Sequence, residues 1–387
     1  MKELVLDVET TISNKGNPFD QTNKLCYVGV RTRDWSNLYP IAYNDLPYGA
    51  QLESIQQDID QSDILIGFNI KFDLHWIRRY GINFSTKRIW DCQLVHFILT
   101  GQTESYPSLN GVAAHYGLGT KLDVVSTEYW KNGIDTPDIP RDILEPYLKG
   151  DLDLTYQVYL KQLEEVKASS LQLQRLISLH NQDLLVLQDM EFNGLLYNAT
   201  KSEELANELD AQIVELDNEL YQYHNCDSFN PNSGDHLSCL LYGGNIKLSR
   251  KVPAGFYKTG ARKGEAKEKW EDYQVELPRL FTPPKGSELA KEGYFSTDEY
   301  TLKSLKSRNQ HSLKAIQTLL TRSDLEKRVS TYYRGLLKLA AELNWKENKI
   351  HGQLNQCVAR TGRLSSSKPN LQNFDGGIKG LFYSRFT

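Results

Sequence analysis

Apolar positions in the first 160 residues follow two different periods. KELVLDVET, KLCYVGVRT and DILIGFN are apolar runs of strand length, and the third passes into KFDLHWIRRYG, where apolar residues recur at helical spacing. Strands alternating with helices predict an α/β unit. From about Asp151 to Asn225 the helical period takes over, in LKQLEEVKASSLQLQRLISLHNQDLLVLQDM and again in SEELANELDAQIVELDNELY, with one interruption at Asn193 and Gly194. That predicts two long helices joined by a turn. Between Asn245 and Gly293 the periodicity is lost while Lys, Pro and Gly accumulate, which predicts an extended insertion rather than a core element. Helical spacing returns in TLKSLKSRNQHSLKAIQTLL and DLEKRVSTYYRGLLKLAAEL. After Trp345 the pattern changes to short polar strands and a Gly- and Ser-rich run.

A chain of 387 residues is long enough for two or three domains. Its 40% hydrophobic and 24% charged residues are the proportions of a folded globular protein. No run approaches the roughly 18 apolar residues of a spanning helix, and MKELVLDVETT enters a strand rather than a signal peptide. The expected location is the cytoplasm, of a bacterium or of an infected host. Cys26, Cys92, Cys226, Cys239 and Cys357 are far apart, odd in number and without a CxxC pair, so they read as reduced. A net charge of −4 does not advertise a nucleic-acid partner, but net charge says nothing of local patches. Between Asn245 and Trp270 eight basic residues, among them Lys258, Arg262, Lys263 and Lys267, face only two acidic ones, with Phe256 and Tyr257 interleaved. Such a run is either a solvated loop or an arm that contacts phosphates.

Candidate chemistry lies in three groups of carboxylates. Asp7 and Glu9 stand two apart in LVLDVETT, so on a strand both point to one face. Acids on a buried strand are costly unless they meet something positive. In GFNIKFD an apolar strand ends at Asn69 and a helix begins whose first turn holds Asp73; a helix cap and a favourable N-terminal charge would explain these two equally well. In YLKGDLD, Tyr147 and Asp151 lie four apart, on one face of a helix. Asp153 falls six after Tyr147 and is rejected as the rival. Hard oxygen ligands without a His or Cys cluster favour Mg²⁺ or Mn²⁺, and two such ions about 4 Å apart suit phosphodiester hydrolysis.

In this order the three groups resemble the proofreading exonuclease of family A DNA polymerases, the DEDD superfamily in its tyrosine version. The resemblance implies a ribonuclease H-like α/β domain, a mixed sheet flanked by helices. It makes Asp7, Glu9, Asp73 and Asp151 the ligands of two divalent cations, and Tyr147 the residue that orients the attacking water. Thr10 and Asn69 stand where the family holds the primer 3′ end. Further segments continue the likeness. VLQDMEFNGLLYN resembles the entry to the thumb, FNPNSGDHLSCLLY and LEKRVSTYYRGL resemble thumb segments, and ARTGRLSSSKPNLQN resembles a signature preceding the palm. In that signature Arg363, Asn370 and Gln372 match residues along the primer-template minor groove, where acceptors recur at every base pair. Without the likeness it would read as a polar loop satisfying its own backbone.

The implied organisation is an exonuclease domain at 1–167, a mainly helical thumb region at 168–345 with the basic insertion at about 245–293, and first strands of an incomplete palm at 346–387. Met1 stands six residues before the first ligand, a start that resembles phage polymerases. IKGLFYSRFT resembles the segment before the palm's first catalytic aspartate. The expectation is therefore an exonuclease and primer-template-binding part whose DNA synthesis needs a second polypeptide carrying palm and fingers. A stand-alone exonuclease is opposed by the TGRLSS signature, and a non-catalytic DNA-binding subunit by the intact carboxylates.

Overall fold

The apolar runs of the first third build one five-stranded sheet in a computed structural model that describes residues 1–43, 48–121, 123–223, 229–346 and 348–384. In chain order the elements are β1 (Glu3–Thr10), β2 (Leu25–Arg31), β3 (Ser36–Pro40), α1 (Tyr48–Gln61), β4 (Ile64–Gly67), α2 (Ile70–Arg79), β5 (Arg88–Asp91), α3 (Cys92–Leu99) and α4 (Leu109–His115). The strands lie in the order β3-β2-β1-β4-β5. β1, β2 and β3 pair antiparallel, whereas β4 runs parallel to both β1 and β5. This is a mixed sheet with helices against it, as expected. Alternation along β1 sorts its side chains. Leu4, Leu6 and Val8 enter a core with Ile70, Leu74 and Trp76 of α2, while Val5 enters another with Val158 and Tyr159 from a long helix, α5 (Arg141–Ala168). Asp7 and Glu9 share the register of Val5, so they point to the side α5 covers.

How closely α5 can approach is set by one residue. Gly29 pairs with Asp7 across β1 and β2. A Cβ there would stand 2.8 Å from Leu152 Cδ1 and 3.0 Å from Leu148 Cγ, so α5 packs directly on bare backbone.

The stretch read as two long helices is three. Ser169 and Ser170 end α5, and the Ser170 hydroxyl accepts the Leu173 amide to start α6 (Leu171–Asn193). Gly194, at φ 63, closes α6 and admits a short strand, β6 (Leu195–Tyr197). The flanking segments keep helical spacing on both sides of the serine pair, which hid the break.

The chain divides into two compact units, Met1–Ala199 with Leu336–Thr387, and Thr200–Gly335. The second comprises most of α7 (Ala199–Gln222), then α8 (Gly234–Tyr242), β7 (Gly244–Phe256), β8 (Ala266–Leu277), α9 (Glu299–Ser304) and α10 (Gln310–Lys327), followed by a π-helical turn at Arg328–Tyr333. The expected helix through SLKSRNQ is broken between α9 and α10, where Asn309 caps α10 by accepting from the His311 amide. The first part of the insertion, to Leu277, is regular, and the rest is turns and coil. β7 and β8 form an antiparallel hairpin whose base, Ile246, Leu248 and Leu277, is buried with Leu241, Tyr242 and Phe281.

α11 (Arg334–Glu342) leads back to the first unit, which ends with β9 (Lys349–Ile350), β10 (Gln353–Asn355), β11 (Ser365–Ser367), α12 (Gly376–Lys379) and β12 (Phe382–Tyr383). β6 pairs antiparallel with both β9 and β12. The final segment packs on the α/β unit. Glu191 of α6 is the centre of that contact: it takes Lys71 Nζ at 2.7 Å and His75 Nε2 at 2.8 Å, and also accepts the amide of Leu354 in β10. The His351 ring stacks on Phe19 at 4.1 Å between centroids. Among the described residues Cys26, Cys92, Cys239 and Cys357 are buried free thiols; Cys226 lies outside them. No described helix is long and apolar enough to cross a membrane.

Candidate active site

Asp7, Glu9 and Asp151 converge on one point. Each offers a carboxylate oxygen within 4.8 Å of the others. β1 supplies the first two, α5 the third. They line a cleft of about 510 Å³ in the first unit, together with Thr10, Gly16, Asn69, Phe72, Asp73, Trp130 and Tyr147. Asp73 is buried in the first turn of α2, and its Oδ1 accepts the amide of Val8 at 3.0 Å. It lines the cleft without joining the tight trio. Tyr147 lies one turn before Asp151 on α5, with Trp130 edge-on at 5.8 Å between ring centroids.

Burial makes the cluster electrostatically tense. Desolvation, then the charge of Asp151, pushes the Asp7 carboxyl up to about 8, against the pull of Lys121 and the Val8 amide. Glu9 is raised well above the usual carboxylate range by burial, then by Asp7 and Asp151. Asp73 is raised by burial and by Asp7. Asp151 is also raised by burial, with Lys121 the largest offset. Burial and the neighbouring carboxylates drive the Tyr147 phenol upward, so it remains a neutral hydroxyl.

These groups fit divalent cations on their own chemistry. Oδ1 of Asp151 is buried with no hydrogen-bond partner, and an orphaned carboxylate oxygen aimed into an all-oxygen donor set is a hard-cation ligand in waiting.

The helix-cap alternative for Asn69 falls away. Asn69 occupies the position before α2 at φ 59, but its side chain caps nothing. Asp91, at the end of β5, accepts the amides of Asn69 and Ile70 at 3.0 and 3.1 Å and those of Gln93 and Leu94 at 2.9 and 3.3 Å, so it caps α2 and α3 together. Burial still lifts its carboxyl to about 6 against those four donors. The exposed Asn69 side chain lines the cleft. Thr10 is buried, and its hydroxyl donates to the Thr11 carbonyl at 3.1 Å. Gly16 must be glycine: at φ 66 a Cβ would meet Thr10 Oγ1 at 2.3 Å. The rejected Asp153 is engaged by Arg31.

The residue that sequence reasoning missed is Lys121. Its Nζ donates to Tyr147 OH and Asp151 Oδ2, both at 2.7 Å. It comes from a loop 30 residues before Asp151, and no spacing rule points to it.

The remaining candidates lie elsewhere. Arg363 is exposed between β10 and β11, and Asn370 and Gln372 are exposed just after β11; Asn370 Oδ1 accepts the Gln372 amide at 3.1 Å and Gln372 Nε2 donates to the Leu364 carbonyl at 2.9 Å. Lys258, Arg262, Lys263 and Lys267 belong to the second unit, at the exposed end of the β7–β8 hairpin. Along its shaft Arg250 pairs with Glu271 and Lys251 with Glu268, so the basic surplus collects at the tip. There Arg262 and Lys267 lie 4.5 and 5.9 Å from the Tyr257 ring centroid, and Arg262 pairs with Glu265.

Comparison with known proteins finds similarity to DNA polymerases. Residues 277–380 match the family model for DNA polymerase family A. The chain is 24% identical to the DNA polymerase of Bacillus phage SP01, over 99% of its own length and 45% of that protein's. It is 27% identical to DNA polymerase I of Synechocystis sp., over 79% of its length and 26% of the relative's. A shorter stretch, 26% of the chain, is 42% identical to DNA polymerase I of Mycobacterium leprae. Among solved structures it resembles the POL domain of Pol1 from M. smegmatis in complex with DNA primer-template and dNTP. That match has a TM-score of 0.63 at 19% identity, covering 98% of this chain and 54% of the other. The chain is thus similar to family A DNA polymerases along most of its length. It spans less than half the length of these curated relatives.

Proposed function

We propose that the chain is the 3′→5′ proofreading exonuclease and primer-template-binding part of a family A polymerase, with catalysis at the Asp7, Glu9, Asp73, Asp151 cluster. The observation that carries this reading is the convergence within 4.8 Å of three carboxylates, Glu9 and Asp151 buried and Asp7 half-buried, beside a tyrosine hydroxyl. Asp7, Glu9 and Asp151, with Asp73, would hold two Mg²⁺ or Mn²⁺ ions. Bound there, such ions supply charge neutralisation at the scissile phosphate and an acidified water.

The chain's own groups do the rest. Tyr147, kept neutral, offers a hydroxyl to orient the attacking water. Asn69 presents its amide to the terminal nucleotide, Thr10 supports the strand end beneath it, and Phe72 offers a ring for base contact. The Val8–Asp73 bond keeps α2 from drifting as charge accumulates. Arg363, Asn370 and Gln372 are exposed donors suited to minor-groove acceptors, which test pairing shape without reading sequence. The hairpin tip, with Lys258, Arg262, Lys263 and Lys267, suits duplex phosphates.

DNA synthesis is proposed for this segment together with palm and fingers elements, on the same or a companion polypeptide. Buried free thiols and a DNA substrate fit the cytoplasmic placement. The test is digestion of 5′-labelled single-stranded DNA. A ladder shortening from the 3′ end with Mg²⁺, and none with EDTA, is expected; EDTA-resistant digestion by the purified chain would overturn the metal-dependent reading.

A further inference from the structure

Lys121 is a cation already present in a site built for cations. It is the one basic side chain among the described residues paired with any of the four clustered carboxylates. Its Nζ occupies one oxygen of Asp151 and the Tyr147 hydroxyl at 2.7 Å each, and lies 4.6 Å from the centroid of the Tyr147 ring. The other Asp151 oxygen stays bare. The Lys121 backbone is anchored, its amide donating to Asn110 Oδ1 at 2.9 Å, while its side chain keeps 22% exposure against 9% for Asp151. A long flexible stem on a fixed base, with one end open to solvent, can swing away without moving the loop.

We propose that Lys121 is a tethered counter-ion of the metal-free site, which a divalent cation displaces from Asp151. Metal binding is then an exchange of one positive group for another, and it frees the Tyr147 hydroxyl for water in the same movement. The inference rests on the metal-site reading above. It follows from charge: an ammonium and a divalent ion in contact with the same carboxylate repel each other, whereas three close carboxylates with neither also repel.

Two consequences of opposite sign follow from removing the ammonium. The cation no longer has a competitor, so it binds more tightly; the metal-free fold loses its neutralising charge, so it weakens. A lysine that only braces the loop would not tighten metal binding when removed.

The experiment is Mn²⁺ titration of the full chain, followed by electron paramagnetic resonance, with thermal midpoints in EDTA and in saturating Mn²⁺. Lys121→Met should bind Mn²⁺ roughly tenfold more tightly than wild type. Its midpoint should fall in EDTA and recover in Mn²⁺. Lys121→Gln, which can still donate to Tyr147, should shift affinity in the same direction and serves if the methionine variant fails to fold without metal. Lys121→Arg, which keeps the charge, should match wild type in both readouts. Unchanged or weaker Mn²⁺ affinity in folded Lys121→Met and Lys121→Gln overturns the counter-ion role while leaving the metal site intact. Absence of Mn²⁺ binding in wild type and in all three variants overturns the metal-site reading itself.

Discussion

The amide of Val8 donates to Oδ1 of Asp73 at 3.0 Å, tying the first turn of α2 to the strand that carries Asp7 and Glu9. One carboxylate therefore has two tasks, holding a backbone donor and serving the cleft. The two separate by substitution. Asp73→Ala leaves a buried N–H unpaired and should cost about 1–3 kcal/mol in urea unfolding. Asp73→Asn keeps the acceptor and should retain most of that stability, yet lose nuclease activity with the ligand charge. Equal stability loss in both variants would contradict the assigned bond.

Stability should depend on pH with a sign set by burial. Asp7 is raised to about 8 from an ordinary 3.8, and Glu9 and Asp73 shift the same way. Between those limits the folded chain keeps a proton that the unfolded chain has released. The neutral carboxyl's contribution is therefore complete below 3.8 and is lost as pH rises to about 8. In EDTA the thermal midpoint should fall as pH rises from about 5 to about 8.5. Stabilisation by Mg²⁺ should grow over the same interval, because the cation needs deprotonated ligands. Asp7→Asn should flatten the metal-free profile. A wild-type profile as flat as the variant's would contradict the shift.

The hairpin tip should show itself in salt dependence. Neutralising Lys258, Arg262, Lys263 and Lys267 together should weaken primer-template binding. It should also lower the slope of log affinity against log salt by up to about 0.9 for each phosphate that the variant no longer neutralises. Neutralising Arg250 and Lys251, already paired across the shaft, should change the slope less. An unchanged slope in the tip variant would show that the tip does not touch DNA.

Glu191 should be a stability residue of the first unit. It is buried and serves Lys71, His75 and the Leu354 amide at once. Glu191→Ala leaves the Lys71 ammonium without its counter-charge, holding only the Leu354 carbonyl, and the Leu354 amide without its acceptor, and should destabilise by about 3–5 kcal/mol in urea unfolding. A loss below about 1 kcal/mol, the scale of an exposed pair, would show that Lys71 finds water instead.

How much of this was legible in sequence follows from how local each signal is. Asp7 with Glu9 and Tyr147 with Asp151 were legible because strand and helix periods fix which residues share a face within one element. That the two pairs meet depends on α5 lying against Gly29, and no local period encodes that. Lys121 and Asp91 act across loops, so their partners are set by the path of the chain. The Ser169–Ser170 break was hidden by apolar spacing that continues on both sides. The hairpin was hidden differently: Ile246 and Leu248 alternate as a strand should, but only its base is buried, and the strands beyond it mix charged residues with Val252, Pro253 and Trp270 rather than continuing an apolar alternation.

The central claim is that these carboxylates cut DNA from the 3′ end, and the most direct measurement is digestion of a 5′-labelled primer carrying a mismatched 3′ terminus. Wild type, Asp7→Ala and Asp151→Ala would be compared in Mg²⁺, with folding checked by thermal melting. Wild type should release nucleotides one at a time from the 3′ end, and both variants should fall to background while remaining folded. Digestion by Asp7→Ala and Asp151→Ala at the wild-type rate would contradict the account.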